Sequence, residues 1–146
     1  MSRRRAREIA LQVLYQEDLN PCTDPGVGDQ FIQRRLRTRE MVEFSQSLVD
    51  GVRRHRAGLD RWIEQTAANW SLPRMAATDR NILRLGAYEI LFAGTPGRVA
   101  INEAVELAKR YGTAQSAQFV NGILDRLIHQ AEQPPKGPAP RPAEKG

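Results

Sequence analysis

The stretch that decides the fold runs from Val99 to Leu127 and reads VAINEAVELAKRYGTAQSAQFVNGILDRL. Its apolar residues recur at the three- and four-residue spacing of amphipathic helices. Gly112 separates two such segments, and Thr113 is placed to cap the second. The positions expected to face inward are Ile101, Ala104, Val105 and Ala108, then Val120, Ile123, Leu124 and Leu127. The pattern predicts two helices joined by one glycine turn.

The second of these segments has an unusual interruption, Phe119-Val120-Asn121-Gly122. Inside a helix, Gly costs about 1 kcal/mol relative to Ala, and Asn is also a poor helix former. We therefore expect another helix or a ligand to approach the backbone closely at Gly122, with Asn121 capping or bridging a neighbouring helix end. Phe119 lies at the edge of the apolar stripe, where its ring can instead stack on an unpaired base.

Helical periodicity continues through most of the remaining chain, and no segment shows the two-residue alternation of a β-strand. The additional helices are predicted over about 3–19, 29–36, 38–57, 59–69 and 76–93. Together with the C-terminal pair, they indicate an all-α fold of about seven helices. A break near 71–74 divides it into two packed helical halves, about 1–70 and 75–132, within a single domain over 1–132.

The residues that follow this domain, 133–146, read QPPKGPAPRPAEKG and contain five of the nine prolines. Such a segment has almost no apolar surface to bury, so it predicts a disordered tail. Its Pro-x-x-Pro spacing leaves open a role as a ligand for an SH3-type domain, although an inert tail is the simpler interpretation.

Composition narrows the class of function. The 146 residues carry a formal charge of +5, and a pI near 10 favours an anionic partner such as nucleic acid. Cys22 is the single cysteine, which excludes an intrachain disulfide and a multi-cysteine zinc site. No apolar run has the length of a transmembrane helix, and the basic start leads into no signal-peptide segment. The expectation is a cytoplasmic protein that does not contact a membrane.

Four arginines open the first predicted helix, in Ser2-Arg3-Arg4-Arg5-Ala6-Arg7. Cations at a helix N-terminus face the positive end of the macrodipole, which costs a few tenths to about 1 kcal/mol each. A phosphate backbone compensates for this cost through charge and bidentate hydrogen bonds. The arginines therefore indicate contact with a nucleic acid, and the alternative is a solvated basic end without function.

Three segments together resemble the bacterial NusB family of RNA-binding antitermination factors. They are RRRAREIALQVLYQ at 3–16, TDRNILRLGAYEIL at 78–91, and the stretch from INEAVELAKRYG through FVNG at 101–122. The resemblance covers about 3–19 and 75–128, and the loop at 20–38 carries no family motif. It implies a NusB-like fold and binding to the boxA segment of a nascent RNA. It also implies a complex with NusE, a small-subunit ribosomal protein, that joins elongating RNA polymerase and suppresses termination during ribosomal RNA synthesis.

The resemblance also implies roles for particular residues. Those expected to contact RNA are Arg3, Arg4, Arg5, Arg7, Gln12, Gln115, Gln118 and Phe119. Those expected to contact NusE are Asp79, Arg84 and Tyr88, although Arg84 and Glu89 can simply pair with each other inside the protein. Tyr15 is expected to be structural.

No cofactor, metal site or catalytic set is predicted. Glu103 and Glu106 stand three residues apart without a second pair to face them, and Glu106 is expected to form a surface ion pair with Arg110. NusB-like domains also occur at the N-terminus of ribosomal RNA cytosine methyltransferases, but those enzymes need a cofactor-binding α/β domain and a catalytic cysteine, and this sequence offers only Cys22. A third interpretation is a helical protein-interaction module that does not bind RNA.

Overall fold

The computed structural model describes residues 3–67 and 69–132, and within them the fold is all-α, as predicted. The described part contains six α-helices and one short 3-10 turn at Leu72–Arg74. The helices are α1 (Arg3–Leu19), α2 (Pro25–Arg35), α3 (Arg39–Thr66), α4 (Ala77–Leu91), α5 (Gly97–Tyr111) and α6 (Ser116–Glu132). The segment 133–146, for which disorder was predicted, lies outside the described residues.

Helix α3 replaces two of the predicted helices, so the expected break at Gly58 is wrong. Thr38 caps this helix as predicted, because its Oγ1 accepts a hydrogen bond from the backbone N–H of Met41 at 3.1 Å. Beyond Gly58 the helix continues because Leu59 and Ile63 extend its buried stripe and are completely inaccessible to solvent. Burying two such side chains stabilises the helix by about 1.5–3 kcal/mol each, more than the roughly 1 kcal/mol that an interior glycine costs.

Helix α4 lies at the centre of the core, packed against α1, α3, α5 and α6. The wide apolar stripe predicted for it is buried almost completely at Ile82, Leu83 and Leu85. Close packing on α4 depends on Gly86, where an added Cβ would lie 2.7 Å from a Leu124 methyl carbon. One cluster of buried apolar residues includes members of every α-helix, so both halves of the sequence contribute to the same core.

The C-terminal pair, α5 and α6, differs in detail from the prediction. Ile101 and Val105 are only half-buried, because the face of α5 that meets α4 carries the small residue Ala104 and its neighbours Leu107 and Ala108. Helix α6 begins at Ser116, whose Oγ accepts the backbone N–H of Thr113 at 2.9 Å, so the predicted direction of capping is reversed.

The close approach of another helix, one of the two alternatives expected at Gly122, is absent from the described structure. Beyond its chain neighbours and the backbone of its own helix, a Cβ placed on this glycine would meet no described atom within 4 Å, and Asn121 beside it is exposed. The FVNG interruption therefore has no explanation in the packing of the described chain.

Three further features concern the cysteine, a membrane span and a metal site. Cys22 is exposed, in the loop between α1 and α2. No helix in the described ranges is both long and apolar enough to span a bilayer. In the same ranges, no three His, Cys, Asp or Glu side chains come together as a possible metal site.

Candidate RNA interface

The first turn of α1 places its arginines on different faces. Arg3 is exposed, and its guanidinium lies 4.2 Å from the centroid of the Phe44 ring, a cation–π distance. Arg4 extends toward α5 and is half-exposed at its side chain. Arg5 is partly buried and donates to Glu8, one turn later in the same helix, at 3.0 Å. These three cations are the part of the arginine run that solvent reaches.

Arg7 points inward, contrary to the outward position expected from the sequence, and only 6% of it is exposed. Its Nε and Nη2 donate to the two carboxylate oxygens of Glu89 on α4, both at 2.8 Å. Thr95 donates to the same carboxylate at 3.0 Å. Burial by itself would lower the pKa of Arg7, but the hydrogen bonds and charge of Glu89 outweigh it and raise that pKa. Arg7 thus joins α1 to α4 through a buried ion pair with Glu89.

Helix α5 lies beside the N-terminal arginines and contributes both acidic and basic side chains. Arg4 donates from Nε and Nη2 to the two oxygens of Glu103, at 3.1 Å each, and these hydrogen bonds, with the charge of Glu103, raise the pKa of Arg4. Arg110 lies 3.5 Å from the carboxylate of Glu8. Lys109 is paired with Glu106 at 3.5 Å, so the predicted Glu106–Arg110 pair is replaced by two different pairs.

The packing of α5 therefore produces a basic surface that the sequence did not show as one unit. We call it the exposed cluster, and it consists of Arg3, Arg4, Arg5, Lys109 and Arg110. The sequence analysis missed Lys109 and Arg110, which are more than half exposed at their side chains. Their one local signal was a basic pair in the last turn of α5. What makes them relevant is the tertiary contact with α1, which spacing along the chain cannot reveal.

Gln12 lies on α1 beyond this cluster, half-buried at the edge of a groove of about 600 Å³. The groove runs between α1, α2 and the end of α5, and aromatic rings form much of its wall. Tyr15, Phe31 and Tyr111 line it together with Leu11 and Val27. The Tyr15 side chain, expected to be structural, is 38% exposed here. The amide of Gln12 and the ring of Tyr15 thus lie along the same helix as the arginines, and α2 and α5 contribute the rings of Phe31 and Tyr111 to the groove.

The candidate residues on α6 and in the turn before it are less closely connected to the arginines. Gln115 and Gln118 are exposed, as RNA-contacting side chains need to be. Phe119 is half-buried, and its ring meets the ring of Trp70 edge-to-face at a centroid distance of 5.9 Å. Trp70 is itself 51% exposed, so the pair presents aromatic surface to solvent. In the described structure, the ion pairs that reach the first turns of α1 come from α4 and α5.

The three residues proposed for partner binding do not form one surface. Arg84 is buried, donates to Asp60 at 2.8 and 3.2 Å, and lies 3.3 Å from Asp18. It does not pair with Glu89, which is bound to Arg7. Tyr88 is half-buried against Gly51, where an added Cβ would overlap its ring, and it stacks with His55 and Phe92.

Asp79, the third of these residues, is different because it has unused hydrogen-bonding capacity. It lies in the first turn of α4, and its Oδ1 is buried without a hydrogen-bond partner among the described residues. A helix N-terminus stabilises a carboxylate through the macrodipole. The neighbouring Thr78 lines the aromatic groove described above.

Comparison with known proteins shows similarity to one family over most of the chain. The model of the NusB family matches residues 4–129. The chain is 43% identical over 141 residues to the transcription antitermination protein NusB of Desulfitobacterium hafniense strain DSM 10664 / DCB-2, covering 91% of this chain and 92% of the relative. It is 46% identical over 132 residues to the protein of the same name from Anaeromyxobacter sp. strain Fw109-5, covering 87% and 90%.

Solved structures agree with the sequence comparison. T. maritima NusB superposes with a TM-score of 0.80 at 36% identity, covering 92% of this chain and 94% of that one. A crystal structure of the antitermination factors NusB and NusE in complex with double-stranded RNA contains a chain that superposes with a TM-score of 0.78 at 32% identity. That match covers 89% of this chain and 99% of the other.

Proposed function

The chain belongs to the NusB family, and from that premise we propose that it is an RNA-binding transcription antitermination factor. It binds boxA-type RNA together with NusE and joins elongating RNA polymerase, so that ribosomal RNA operons are transcribed past terminators. The observation that supports this most strongly is the family match from residue 4 to residue 129, which includes both helices of the exposed cluster. A NusB–NusE–RNA complex of similar fold supports the choice of partners.

In this proposal the exposed cluster binds the phosphate backbone. Arg3, Arg4 and Arg5 are solvent-accessible cations at the N-terminus of α1, and Lys109 and Arg110 enlarge the same surface. Arg7 does not contact RNA itself. Its guanidinium is bound to Glu89 and holds α1 in place. Phosphate contacts of this kind give affinity and salt dependence, whereas sequence is recognised at the bases.

Base recognition is assigned to the uncharged candidates. Gln12, Gln115 and Gln118 offer amide donors and acceptors without repelling phosphate. Phe119 offers a half-buried ring that packs edge-to-face with Trp70, and stacking of bases on the faces of such rings is tolerant of sequence. Unpaired RNA suits these contacts better than a duplex, whose major groove is too deep and narrow for side chains.

NusE binding is assigned to the solvent-accessible surface of α4, at two separate places marked by Asp79 and Tyr88. Asp79 is partly exposed, and its buried Oδ1, which has no hydrogen-bond partner among the described residues, becomes an acceptor for a partner's N–H when NusE binding shifts this side chain outward. Tyr88 contributes partly exposed aromatic area. Arg84 is buried in ion pairs and supports this surface from within.

The protein acts as an adaptor and not as an enzyme, with residues 1–132 forming a single domain. The relatives quoted above are named as antitermination proteins, which favours this over the RNA-modifying domain considered from the sequence. The continuous core shared by α1 to α6 supports the single domain.

The test is fluorescence anisotropy of a labelled single-stranded boxA-type RNA titrated with the full chain, with and without NusE. A scrambled RNA of equal length and composition is the control. We expect preference for boxA over the scrambled RNA, and tighter binding when NusE is present. NusE association without any direct RNA binding would instead establish a protein-interaction module, and the absence of both would refute the proposed function.

A further inference from the structure

We propose that Glu103 of α5 is a positioning residue for RNA binding, because it holds the guanidinium of Arg4 in the orientation that meets a phosphate. This inference rests on the proposed function and adds to it a residue that itself cannot attract RNA. A carboxylate next to a phosphate-binding surface would ordinarily be expected to weaken binding by repulsion. The geometry around Glu103 indicates the opposite net effect.

The contact between Glu103 and Arg4 is a bidentate ion pair, which we call the fork. Both oxygens of Glu103 accept, one from Nε and one from Nη2 of Arg4, at 3.1 Å each. A guanidinium has five N–H donors, so three remain after the fork, on Nη1 and Nη2. The Arg4 side chain is 52% exposed while that of Glu103 is only 18% exposed. The pair is therefore anchored on the protein side and open on the solvent side.

Fixing Arg4 in this way reduces the entropy that RNA binding must otherwise remove. A free arginine carries about 2 kcal/mol of side-chain rotamer entropy, and ordering a flexible side chain at an interface costs about 0.5–1.5 kcal/mol. Glu103 imposes much of that order before RNA arrives. It does so across two helices, so the position of Arg4 also depends on where α5 lies relative to α1, which it meets through the ion pairs Arg4–Glu103 and Glu8–Arg110.

The fold does not depend on Glu103 to the same degree. The other cation near its carboxylate is Arg7, whose Nη1 lies 3.9 Å away. Arg7 is already satisfied by two shorter hydrogen bonds to Glu89. Replacing Glu103 should therefore release Arg4 and leave the buried Arg7–Glu89 ion pair between α1 and α4 intact.

Glu106 provides a matched control for the charge. It lies three residues later on α5, contributes to the electrostatic environment of Arg4, and pairs with Lys109 at 3.5 Å. It makes no hydrogen bond to Arg4 among those described for that side chain. Glu103→Ala and Glu106→Ala each remove one negative charge from the same surface, but only the first removes the fork.

The experiment measures the Kd of a fluorescein-labelled boxA-type RNA, in one buffer, for the wild-type protein and for four variants. They are Glu103→Ala and Glu106→Ala, each in the wild-type chain and in an Arg4→Ala chain. In the wild-type chain we expect Glu106→Ala to tighten binding by about twofold, as removal of a nearby like charge does. We expect Glu103→Ala to bind about fivefold more weakly than Glu106→Ala, because Arg4 loses its orientation. In the Arg4→Ala chain the two variants should have equal Kd values.

Two results would overturn the inference. If Glu103→Ala binds as tightly as Glu106→Ala, Glu103 is only a competing charge. If the fivefold deficit persists without Arg4, Glu103 does not act through Arg4. Glu103→Gln, which keeps an acceptor for one of the two hydrogen bonds, should recover part of the loss and serves if Glu103→Ala fails to fold. Wild-type protein that binds boxA no better than scrambled RNA would refute the proposed function itself, which is a separate result.

Discussion

The two ends of α1 carry arginine-rich clusters with opposite properties. At the N-terminus is the exposed cluster, in which the Arg4 and Arg110 side chains are 52% and 64% exposed. Near the C-terminus is a second group, which we call the inner cluster. It consists of Asp18, Arg56, Asp60, Arg80 and Arg84. In the inner cluster the Arg84 side chain is 4% exposed and that of Asp18 is 8% exposed.

The difference between the clusters lies in how their charges are satisfied. In the inner cluster Asp18 alone receives Arg80 at 2.7 Å, Arg56 at 3.1 Å and the Asn81 amide at 2.9 Å. Its cations therefore connect α1, α3 and α4. In the exposed cluster the described ion pairs are 3.0–3.5 Å long, and the Arg4, Lys109 and Arg110 side chains are more than half exposed to solvent. The same residue type thus supports folding at one end of a helix and is available for a ligand at the other.

The largest effect that tests this contrast is on stability. Arg84→Ala should lower the free energy of unfolding by about 3–5 kcal/mol, because it leaves the buried carboxylate of Asp18 and the partly buried carboxylate of Asp60 with fewer counter-charges. Arg4→Ala, the matched variant in the exposed cluster, should unfold close to the wild-type urea concentration, since exposed ion pairs contribute little. Urea unfolding followed by circular dichroism measures both. Equal destabilisation by the two variants would remove the distinction between the clusters.

A smaller effect concerns the dependence of stability on pH. Burial by itself would raise the pKa of Asp18, but hydrogen bonds from Arg80 and Asn81 and the charges of Arg84 and Arg80 outweigh it and lower that pKa below its usual value. The stabilisation by Asp18 is therefore present above the unfolded-state pKa of about 3.9 and is lost as the pH falls through the folded-state pKa.

The consequence is measurable with Asp18→Asn. This variant should be less stable than wild type at neutral pH, and the difference should shrink as the pH is lowered below about 4. Urea unfolding at a series of pH values measures it, with Asp125→Asn on the exposed face of α6 as the control. A difference between wild type and Asp18→Asn that stays constant across this range would show that the carboxylate charge does not stabilise the inner cluster.

The sequence alone predicted the all-α class, most of the helix positions and the central role of α4, because those follow from local periodicity. It failed at Gly58, where tertiary burial of Leu59 and Ile63 outweighs a local helix breaker. It also placed Arg7 outside the core. The partner that buries Arg7 is Glu89, which lies 82 residues further along the chain, and no spacing rule connects them.

Only the part of the candidate site that follows from local sequence was predictable. The arginine run of α1 is a local signal, and the family resemblance gave it a role. Lys109, Arg110 and Glu103 become part of the site only when α5 packs beside α1, so their contribution required the structure. Gly122 remains without a structural explanation, since its expected close neighbour is absent from the described chain.

The central claim is that the exposed cluster binds RNA phosphates, and the salt dependence of affinity tests it most directly. Arg4→Ala with Arg5→Ala is compared with Arg54→Ala with Arg61→Ala, two exposed arginines on α3. The control pair flanks the part of α3 that contacts the inner cluster. Both double variants lose the same charge. Kd for the boxA-type RNA is measured at several salt concentrations.

We predict that Arg4→Ala with Arg5→Ala weakens binding by about tenfold and reduces the slope of log K against log salt by about 1.4, as loss of two single-strand phosphate contacts requires. The α3 control should change the affinity by much less and leave the slope unchanged. Equal effects of the two double variants, or a wild-type slope in Arg4→Ala with Arg5→Ala, would contradict the assignment of RNA binding to the exposed cluster.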